Sequence, residues 1–242
     1  MIVDELLALA RPRLADRCVV DVRVGLALTA ARLDDGSVGL AATLGEGWAP
    51  AGAVLEAGVP RPAGELACLV GSCHAVDVSV GMAVINAGLN RAAGLGTDAD
   101  LLDLLAVQPD ERVVMVGFFP SFARRLEGRC HLRILERRRQ DERVLPDWAC
   151  EQVLPAAEVA IITGSAVHNR TLDHLLGLVG KGCRVAVAGP SAALVPQVFA
   201  PRGVRYLGGA VVTDGAGALR GVSLGGAAHE LKPYVRKVTL VL

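Results

Sequence analysis

The sequence predicts a mixed α/β protein in which an N-terminal α+β unit precedes a unit built on a doubly wound parallel sheet. Three observations carry this prediction. The first third of the chain places alternating apolar residues between segments of helical spacing. The remainder repeats short apolar runs separated by helix-compatible stretches. Of the 242 residues, 52% are hydrophobic, which is enough to build a core of domain size.

The first helix and a hairpin are predicted from changes in apolar spacing. The opening segment, to about Arg17, has helical spacing at Val3, Leu7, Ala10 and Leu14. Apolar residues then alternate strictly over 20–28 and again over 38–44. The turn signal Asp34-Asp35-Gly36 separates these runs, so we expect a hairpin covered on one face.

A loop and two helices complete the N-terminal unit. Residues 45–64 are rich in Gly and Pro and are predicted to form the loop. Helices are expected over 65–70 and 74–91, and the second would turn one apolar face to the core. A boundary near Leu95 divides the chain into domains 1–94 and 95–242, and a short helix over 99–107 follows it.

The second domain is predicted to be a Rossmann-like parallel sheet. Its apolar runs are short and rich in β-branched residues, as buried parallel strands are. Their separation along the chain suits right-handed βαβ crossovers. The predicted strands are Val113–Gly117, Leu132–Glu136, Val159–Gly164, Arg184–Gly189 and Val204–Leu207.

Composition and charge exclude several classes of partner. The formal net charge is +0, so no overall field would attract nucleic acid or an anionic membrane. No apolar stretch is long enough to span a membrane. Six Cys without a CxxC motif, and an acidic start unlike a signal peptide, favour a cytoplasmic protein with reduced thiols. We therefore expect small-molecule partners, and the sequence is compatible with a homo-oligomer.

Candidate ligand-binding residues follow three of the predicted strands, because ligands of such sheets lie beyond the carboxyl ends of the strands. Small and hydroxylated residues at helix N-termini favour an anionic group. The alternative interpretation is that the same residues only form turns and caps. The three loops are Gly117-Phe118-Phe119-Pro120-Ser121, Thr163-Gly164-Ser165 extended by Asn169 and Thr171, and Gly189-Pro190-Ser191.

Glu136 is the candidate ribose-binding residue. It ends the second predicted strand, where an acidic side chain often accepts hydrogen bonds from a ribose. Arg137, Arg138 and Arg139 follow and would hold a phosphate, unless they form a solvated basic turn. The loop after the first strand lacks G-x-G-x-x-G, and the chain contains no G-x-x-x-x-G-K-[ST]. The standard dinucleotide and nucleoside triphosphate loops are therefore missing.

The sequence offers no converging set of metal ligands. Cys73-His74 and Cys130-His131 are adjacent pairs, whose side chains point apart on a helix or a strand. With Cys68 and Asp77, the first pair would form half of a site, but packing is the preferred interpretation. The remaining histidines, His168, His174 and His229, are scattered along the chain.

Four strings of residues resemble a known family. The chain is similar, in the same order and over nearly its whole length, to the prokaryotic domain family named "putative heavy-metal chelation". Members of that family join a domain like the enolase N-terminal fold to a Rossmann-like domain, with the presumed site in the cleft between them. The strings are Ser79–Ala87, Val116–Pro120, Ile161–Ser165 with Asn169–Leu172, and Gly189–Ser191.

The resemblance implies a set of cleft residues. From the second domain it favours Gly117, Phe118, Phe119, Pro120, Glu136, Thr163, Gly164, Ser165, Asn169, Gly189, Pro190 and Ser191, and from the last helix of the first domain Asn86 and Asn90. We therefore expect a protein that binds an anionic, nucleotide-like or metal-chelate ligand in an interdomain cleft. The alternatives are an enzyme using S-adenosylmethionine or a nicotinamide dinucleotide, and a metal-handling protein using Cys and His.

Overall fold

The computed structural model describes residues 1–45, 58–91, 96–137 and 144–242. The described chain forms a small antiparallel sheet from its N-terminal residues and a larger, mostly parallel sheet from the rest. Helices pack on both sheets, so the predicted α/β class is confirmed. None of the described helices is long and apolar enough to cross a membrane. The predicted boundary near Leu95 falls outside the described residues.

The small sheet is a meander of four strands in the order β3-β2-β1-β4, and each neighbouring pair is antiparallel. It contains the turn predicted at Asp34-Asp35-Gly36, between β2 and β3. The N-terminal elements are α1 (Ile2–Leu14), β1 (Cys18–Val24), β2 (Leu28–Leu33), β3 (Val38–Ala42), β4 (Arg61–Pro62), α2 (Ala63–Cys68) and α3 (Ala75–Leu89).

The predicted single strand over 20–28 is wrong. The chain turns at residues 25–27, where the Gly25 amide donates to the Leu28 carbonyl at 2.9 Å, and two strands result. The apolar alternation misleads here because Val24 and Leu26 are exposed, at 44% and 86% of their surface, instead of facing the core. The predicted loop over 45–64 is also too long, since β4 and the start of α2 occupy 61–64.

The larger sheet has the strand order β11-β10-β9-β8-β5-β6-β7. All neighbours are parallel except β10 and β11. The five predicted strands are present, but the last is longer than expected, and β7 and β11 were not predicted. The elements are α4 (Leu101–Leu105), β5 (Arg112–Val116), α5 (Pro120–Leu126), β6 (His131–Leu135), β7 (Val144–Leu145), α6 (Cys150–Val153), β8 (Val159–Thr163), α7 (Ser165–His168), α8 (Leu172–Leu178), β9 (Arg184–Ala188), α9 (Pro196–Phe199), β10 (Val204–Val212), α10 (Gly215–Ser223) and β11 (Val235–Val241).

Both faces of the small sheet are covered, whereas the sequence predicts a hairpin with only one covered face. The side chains of Leu28 and Leu40 pack against Leu219 and Val222 of α10. The opposite face packs against the N-terminal helices, and α3 makes the most extensive contact with β2 and β3. Because α10 belongs to the C-terminal part of the chain, the two sheets share a core.

The helix α3 is buried on all sides instead of on one apolar face. Every residue from Val76 to Leu89 is buried, including the polar residues Asp77, Ser79 and Asn86. A helix that is apolar nearly all round is expected at the centre of a core. Polar side chains at such a position need hydrogen-bond partners, and those of Ser79 and Asn86 lie on β3 and on the loop after β9.

The outer edge of β3 is paired with side chains instead of another strand. The Ala42 amide donates to Ser191 Oγ at 2.7 Å, and the Ala42 carbonyl accepts from His168 Nε2 at 3.1 Å. Asn86 Nδ2 donates to the Leu40 carbonyl at 2.8 Å, and the Leu44 amide donates to Ser79 Oγ at 2.8 Å. Ser191 lies in the loop after β9, and His168 is the last residue of α7, the helix that follows β8, so this edge attaches the small sheet to the larger one.

Burial of His168 predicts a pH dependence of stability. Burial lowers the pKa of His168 to about 4, from an ordinary value of 6.5. As the pH falls from about 6.5 to about 4, the unfolded chain takes up this proton before the folded chain does. The free energy of unfolding should therefore lose roughly 3 kcal/mol across that window and keep this contribution above it.

His168→Gln tests this prediction, since its amide retains a donor for Ala42 but does not titrate. Urea unfolding at several pH values should show a flatter pH dependence for this variant. The control is His229→Gln, which changes an exposed ring. If His168→Gln and His229→Gln follow the same pH profile, the buried ring does not contribute.

Candidate functional site

A cavity of about 1100 Å³ lies between the small sheet and the carboxyl edge of the larger sheet. Both parts of the chain form its walls. The N-terminal part contributes Leu26, Ala27, Ala75 and residues 42–45. The larger sheet contributes residues 116–119, 135–137, 147, 148, 150, 151, 163, 165, 166, 169, 171, 174 and 175.

The position of the cavity follows from the strand order. In the sheet, β6 and β7 lie on one side of β5. The strands β8, β9 and β10 lie on its other side. The segments that leave β5 and β8 therefore diverge, and a crevice opens at the carboxyl ends of these two strands. Val116 and Thr163, the last residues of β5 and β8, line this crevice together with Gly117.

Position 117 requires a glycine, both for its backbone conformation and for its close contact with Thr163. Its φ is +88°, a left-handed conformation that favours glycine. A Cβ at this position would lie 2.8 Å from the Thr163 Cβ. The absence of a side chain thus lets the loop after β5 approach β8 at the floor of the cavity.

Glu136 lies in the cavity and orients the same loop. Its Oε2 accepts from the Phe118 amide at 3.1 Å, and its Oε1 accepts from the Arg137 amide at 2.8 Å. These two bonds fix the orientation of the carboxylate relative to the loop. Glu136 therefore connects the loop after β5 to the cavity.

Hydroxyl and amide groups form the wall that follows β8. Thr163 Oγ1 and Ser165 Oγ are hydrogen-bonded at 3.1 Å. Asn169 Oδ1 accepts from the Thr171 hydroxyl at 2.7 Å. The helices here are short, since α7 has 4 residues, so the macrodipole argument for an anion is weaker than the sequence analysis supposed.

The described lining of the cavity is acidic. Its ionisable residues, besides the Cys150 thiol, are Glu136, Asp147, Glu151, Arg137 and His174. The only lining cation besides the histidine in the described part of the chain, Arg137, is paired with Asp147 through Nε at 2.6 Å. Arg138 and Arg139 lie outside the described residues. These charges favour a neutral or cationic ligand over an anion.

The cavity also contains a cluster of three potential metal ligands that the sequence did not indicate. Cys150, Glu151 and His174 offer ligand atoms that lie within 4.8 Å of one another. Glu151 Oε1 and His174 Nε2 are hydrogen-bonded at 2.7 Å. Burial raises the pKa of the Cys150 thiol, and the Glu151 carboxylate adds to this effect. His174 was regarded as scattered because only the packing of α6 against α8 brings it to Cys150.

The predicted residues divide into two groups. Those that line the cavity are Gly117, Phe118, Phe119, Glu136, Thr163, Ser165 and Asn169. Pro120, Gly164, Gly189, Pro190, Ser191, Asn86 and Asn90 are not in its lining. No helix follows Gly189 directly, because the chain reaches α9 only at Pro196, so the expected helix N-terminus after β9 is absent.

Asn86, Asn90 and Ser191 join the two sheets. Asn90 Nδ2 donates to the Ala192 carbonyl at 2.9 Å, and Asn90 Oδ1 accepts from the Leu194 amide at 2.8 Å. Asn86 Nδ2 reaches the Ser191 carbonyl at 3.3 Å. All three side chains are buried, and their hydrogen bonds hold the loop after β9 against α3.

Of the four residues considered for packing or a metal site near α3, only Asp77 is buried. Cys68 and Cys73 are exposed free thiols, and His74 is also exposed. The preferred packing interpretation is therefore wrong for these three residues, because the last residue of α2 and the turn before α3 face solvent. Among the described residues, the metal-ligand grouping lies at Cys150, Glu151 and His174 instead.

Two family models, both described as "Putative heavy-metal chelation", match the chain. One, DUF364, matches residues 100–241, which is more than half of the chain. The other, DUF4213, matches residues 7–89. The chain belongs to the DUF364 family. No curated protein matches it.

Two solved structures are similar to this DUF364 member over their whole length. A DUF364 protein of unknown function from Desulfitobacterium hafniense is 27% identical, with 99% of each chain covered and a TM-score of 0.81. A DUF364 protein of unknown function from Pyrococcus horikoshii is 22% identical, with 100% of each chain covered and a TM-score of 0.86. The second likeness supports the fold alone.

Replacement of Gly117 should destabilise this DUF364 protein more than a comparable glycine replacement elsewhere. Gly36 has a similar φ of +85°, but a Cβ there would meet nothing within 4 Å. Gly36→Ala should cost about 1–2 kcal/mol from the left-handed conformation alone. Gly117→Ala should cost more in urea unfolding, because it also clashes with Thr163. Equal costs would show that Thr163 moves aside freely.

Asn90→Ala should lower the free energy of unfolding by roughly 2–4 kcal/mol, because it leaves a buried carbonyl and a buried amide without partners. Gln108→Ala is the control, since it removes an amide that makes a local bond at an exposed position. Thermal and urea unfolding measure both variants. If Asn90→Ala is no less stable than Gln108→Ala, the connection to the loop after β9 does not stabilise the fold.

Proposed function

We propose that this protein binds a small nucleoside-type ligand in the cavity between its sheets, with Glu136 accepting hydrogen bonds from the ribose hydroxyls. The observation that carries the proposal is the placement of Glu136 in the cavity, at the carboxyl end of β6 and next to the point where the strand order reverses. In dinucleotide-binding sheets an acidic residue at this place contacts the ribose.

Further features support this proposal. Counted from β5, the parallel strands follow the order 3-2-1-4-5-6, which is the order of the Rossmann fold. Phe118, Phe119 and Trp148 line the cavity, and Trp148 is 66% exposed. Aromatic faces of this kind can stack on a base. The Glu136 carboxylate already holds the Phe118 amide, so the acceptor is oriented before a ligand enters.

The charge of the cavity narrows the ligand. Three carboxylates and a single paired arginine among the described lining residues disfavour a ligand with several phosphates. A neutral nucleoside or a positively charged one such as S-adenosylmethionine fits these charges better. We therefore favour a nucleoside over the anionic ligand that was expected from the sequence.

Calorimetry with adenosine, 2′-deoxyadenosine and S-adenosylmethionine tests the proposal. Glu136→Gln should lower the affinity for adenosine by about one to two orders of magnitude, because a hydrogen bond to a charged group is lost. It should also reduce the preference for adenosine over 2′-deoxyadenosine, since the lost acceptor faces the ribose. The control is Glu230→Gln, which changes an exposed carboxylate that also accepts a backbone amide.

Two results would contradict the proposal. Absence of binding by all three probes at millimolar concentration would exclude a nucleoside ligand. Equal losses for adenosine and 2′-deoxyadenosine in Glu136→Gln would show that Glu136 acts only on the loop after β5. If this protein is instead an enzyme that uses S-adenosylmethionine or a nicotinamide dinucleotide, that cofactor would occupy the same cavity. Turnover of a second substrate would distinguish such an enzyme from a binding protein.

Metal handling is the second candidate function. The family description names heavy-metal chelation, and the cavity contains a thiol, an imidazole and a carboxylate close together. These groups stand on the wall formed by α6 and α8, whereas Glu136 follows β6. A metal site on α6 and α8 would therefore use other residues than the nucleoside site at Glu136.

A further inference from the structure

We propose that Cys150, Glu151 and His174 form a three-ligand site for a divalent transition-metal ion, with a remaining coordination position open to the cavity. The site is independent of the proposed nucleoside binding, and it rests on the second candidate function, metal handling, for which it names the ligands and the class of metal. Neither the sequence motifs nor the family description assigns these residues.

The geometry brings three donors of different chemistry to one point. Cys150 and Glu151 open α6, and His174 lies in the first turn of α8. Their ligand atoms lie within 4.8 Å of one another, compared with about 3.3–3.8 Å expected around a tetrahedral zinc ion. The side chains of Glu151 and His174 are 56% and 59% exposed, so they can close this difference by rotation.

The donor set selects the kind of metal. Thiolate sulfur and imidazole nitrogen are ligands of zinc and similar transition metals, whereas magnesium and calcium prefer oxygen ligands throughout. Cys150 is 8% exposed, and its sulfur lies within 4.8 Å of the ligand atoms of the two exposed side chains. A thiol, an imidazole and a carboxylate together suit a borderline-soft cation such as Zn²⁺.

The surrounding charge also favours a cation. Glu151 belongs to the site, and Asp147, three residues before Cys150, lines the same cavity. Arg137 offsets Asp147, and the described lining keeps an excess of carboxylates. The same charges disfavour a free thiolate, so a resting cysteine nucleophile with His174 as its base is the weaker interpretation.

The number of ligands indicates an accessible metal. Structural zinc sites are closed by four protein ligands, whereas sites that bind a further molecule have three and an open position. All three residues here line the cavity. A metal held by them would face any molecule in the cavity and could be contacted by it directly.

Metal titration of the untagged, chelator-treated protein tests the site. With Zn²⁺ in calorimetry we expect one ion per chain, and with Co²⁺ we expect a thiolate-to-cobalt charge-transfer band. Cys150→Ser should abolish that band, and His174→Gln should weaken Zn²⁺ binding at least about tenfold. His174 is largely exposed, so His174→Gln is expected to fold even if Cys150→Ser does not.

Matched controls separate the site from other thiols and imidazoles. Cys73→Ser and His229→Gln change exposed residues outside the cluster and should leave both the stoichiometry and the cobalt band unchanged. Zn²⁺ affinity should fall as the pH is lowered, because protons compete for all three ligands.

Three outcomes would overturn the site. They are the absence of stoichiometric Zn²⁺ binding, a cobalt band that persists in Cys150→Ser, and equal weakening in His174→Gln and His229→Gln. The nucleoside proposal is tested separately, since adenosine binding is measured on chelator-treated protein. Glu136→Gln should retain Zn²⁺ affinity, so the two proposals can fail independently.

Discussion

The arrangement of the protein depends on how the outer edge of β3 is satisfied. An exposed strand edge invites pairing with another strand, and proteins usually cover or charge it. Here side chains pair with the backbone of this edge: Ser191 and His168 at Ala42, Asn86 at Leu40 and Ser79 at Leu44. Because two of these side chains come from the larger sheet, the edge sets the relative position of both sheets.

This connection explains why the cavity contains residues from distant parts of the chain. Ala42 is bonded to both Ser191 and His168, and residues 42–45 form one wall of the cavity. The opposite wall starts at the carboxyl ends of β5 and β8. Helix α10 holds the other face of the small sheet, so the small sheet is fixed from two directions. The cavity is thus lined by segments that adjoin strands of both sheets.

The polar groups of the molecule fall into two sets with different surroundings. Asn86, Asn90 and Ser191 are buried and hydrogen-bonded across the contact between the sheets, where their partners are backbone groups. Glu136, Glu151 and His174 line the open cavity, and their side chains bond to one another or to backbone amides beside it. Residue type alone does not separate these sets, since an amide or a hydroxyl suits either environment. The two sets differ in their burial and in the groups to which they are hydrogen-bonded.

The sequence by itself determined the α/β class, most of the larger sheet and the loops after β5 and β8, because strand hydrophobicity and turn residues are local properties. It also indicated Glu136 as a candidate residue of the cavity, since the end of β6 can be located from the same pattern. It placed one strand across residues 25–27, where exposed Val24 and Leu26 continue the alternation. Only the tertiary structure assigned Asn86 and Asn90 to the contact between sheets and brought His174 to Cys150 and Glu151. The physical reason is that these contacts join residues far apart in the chain, and their geometry depends on how helices and sheets pack, which no local pattern encodes.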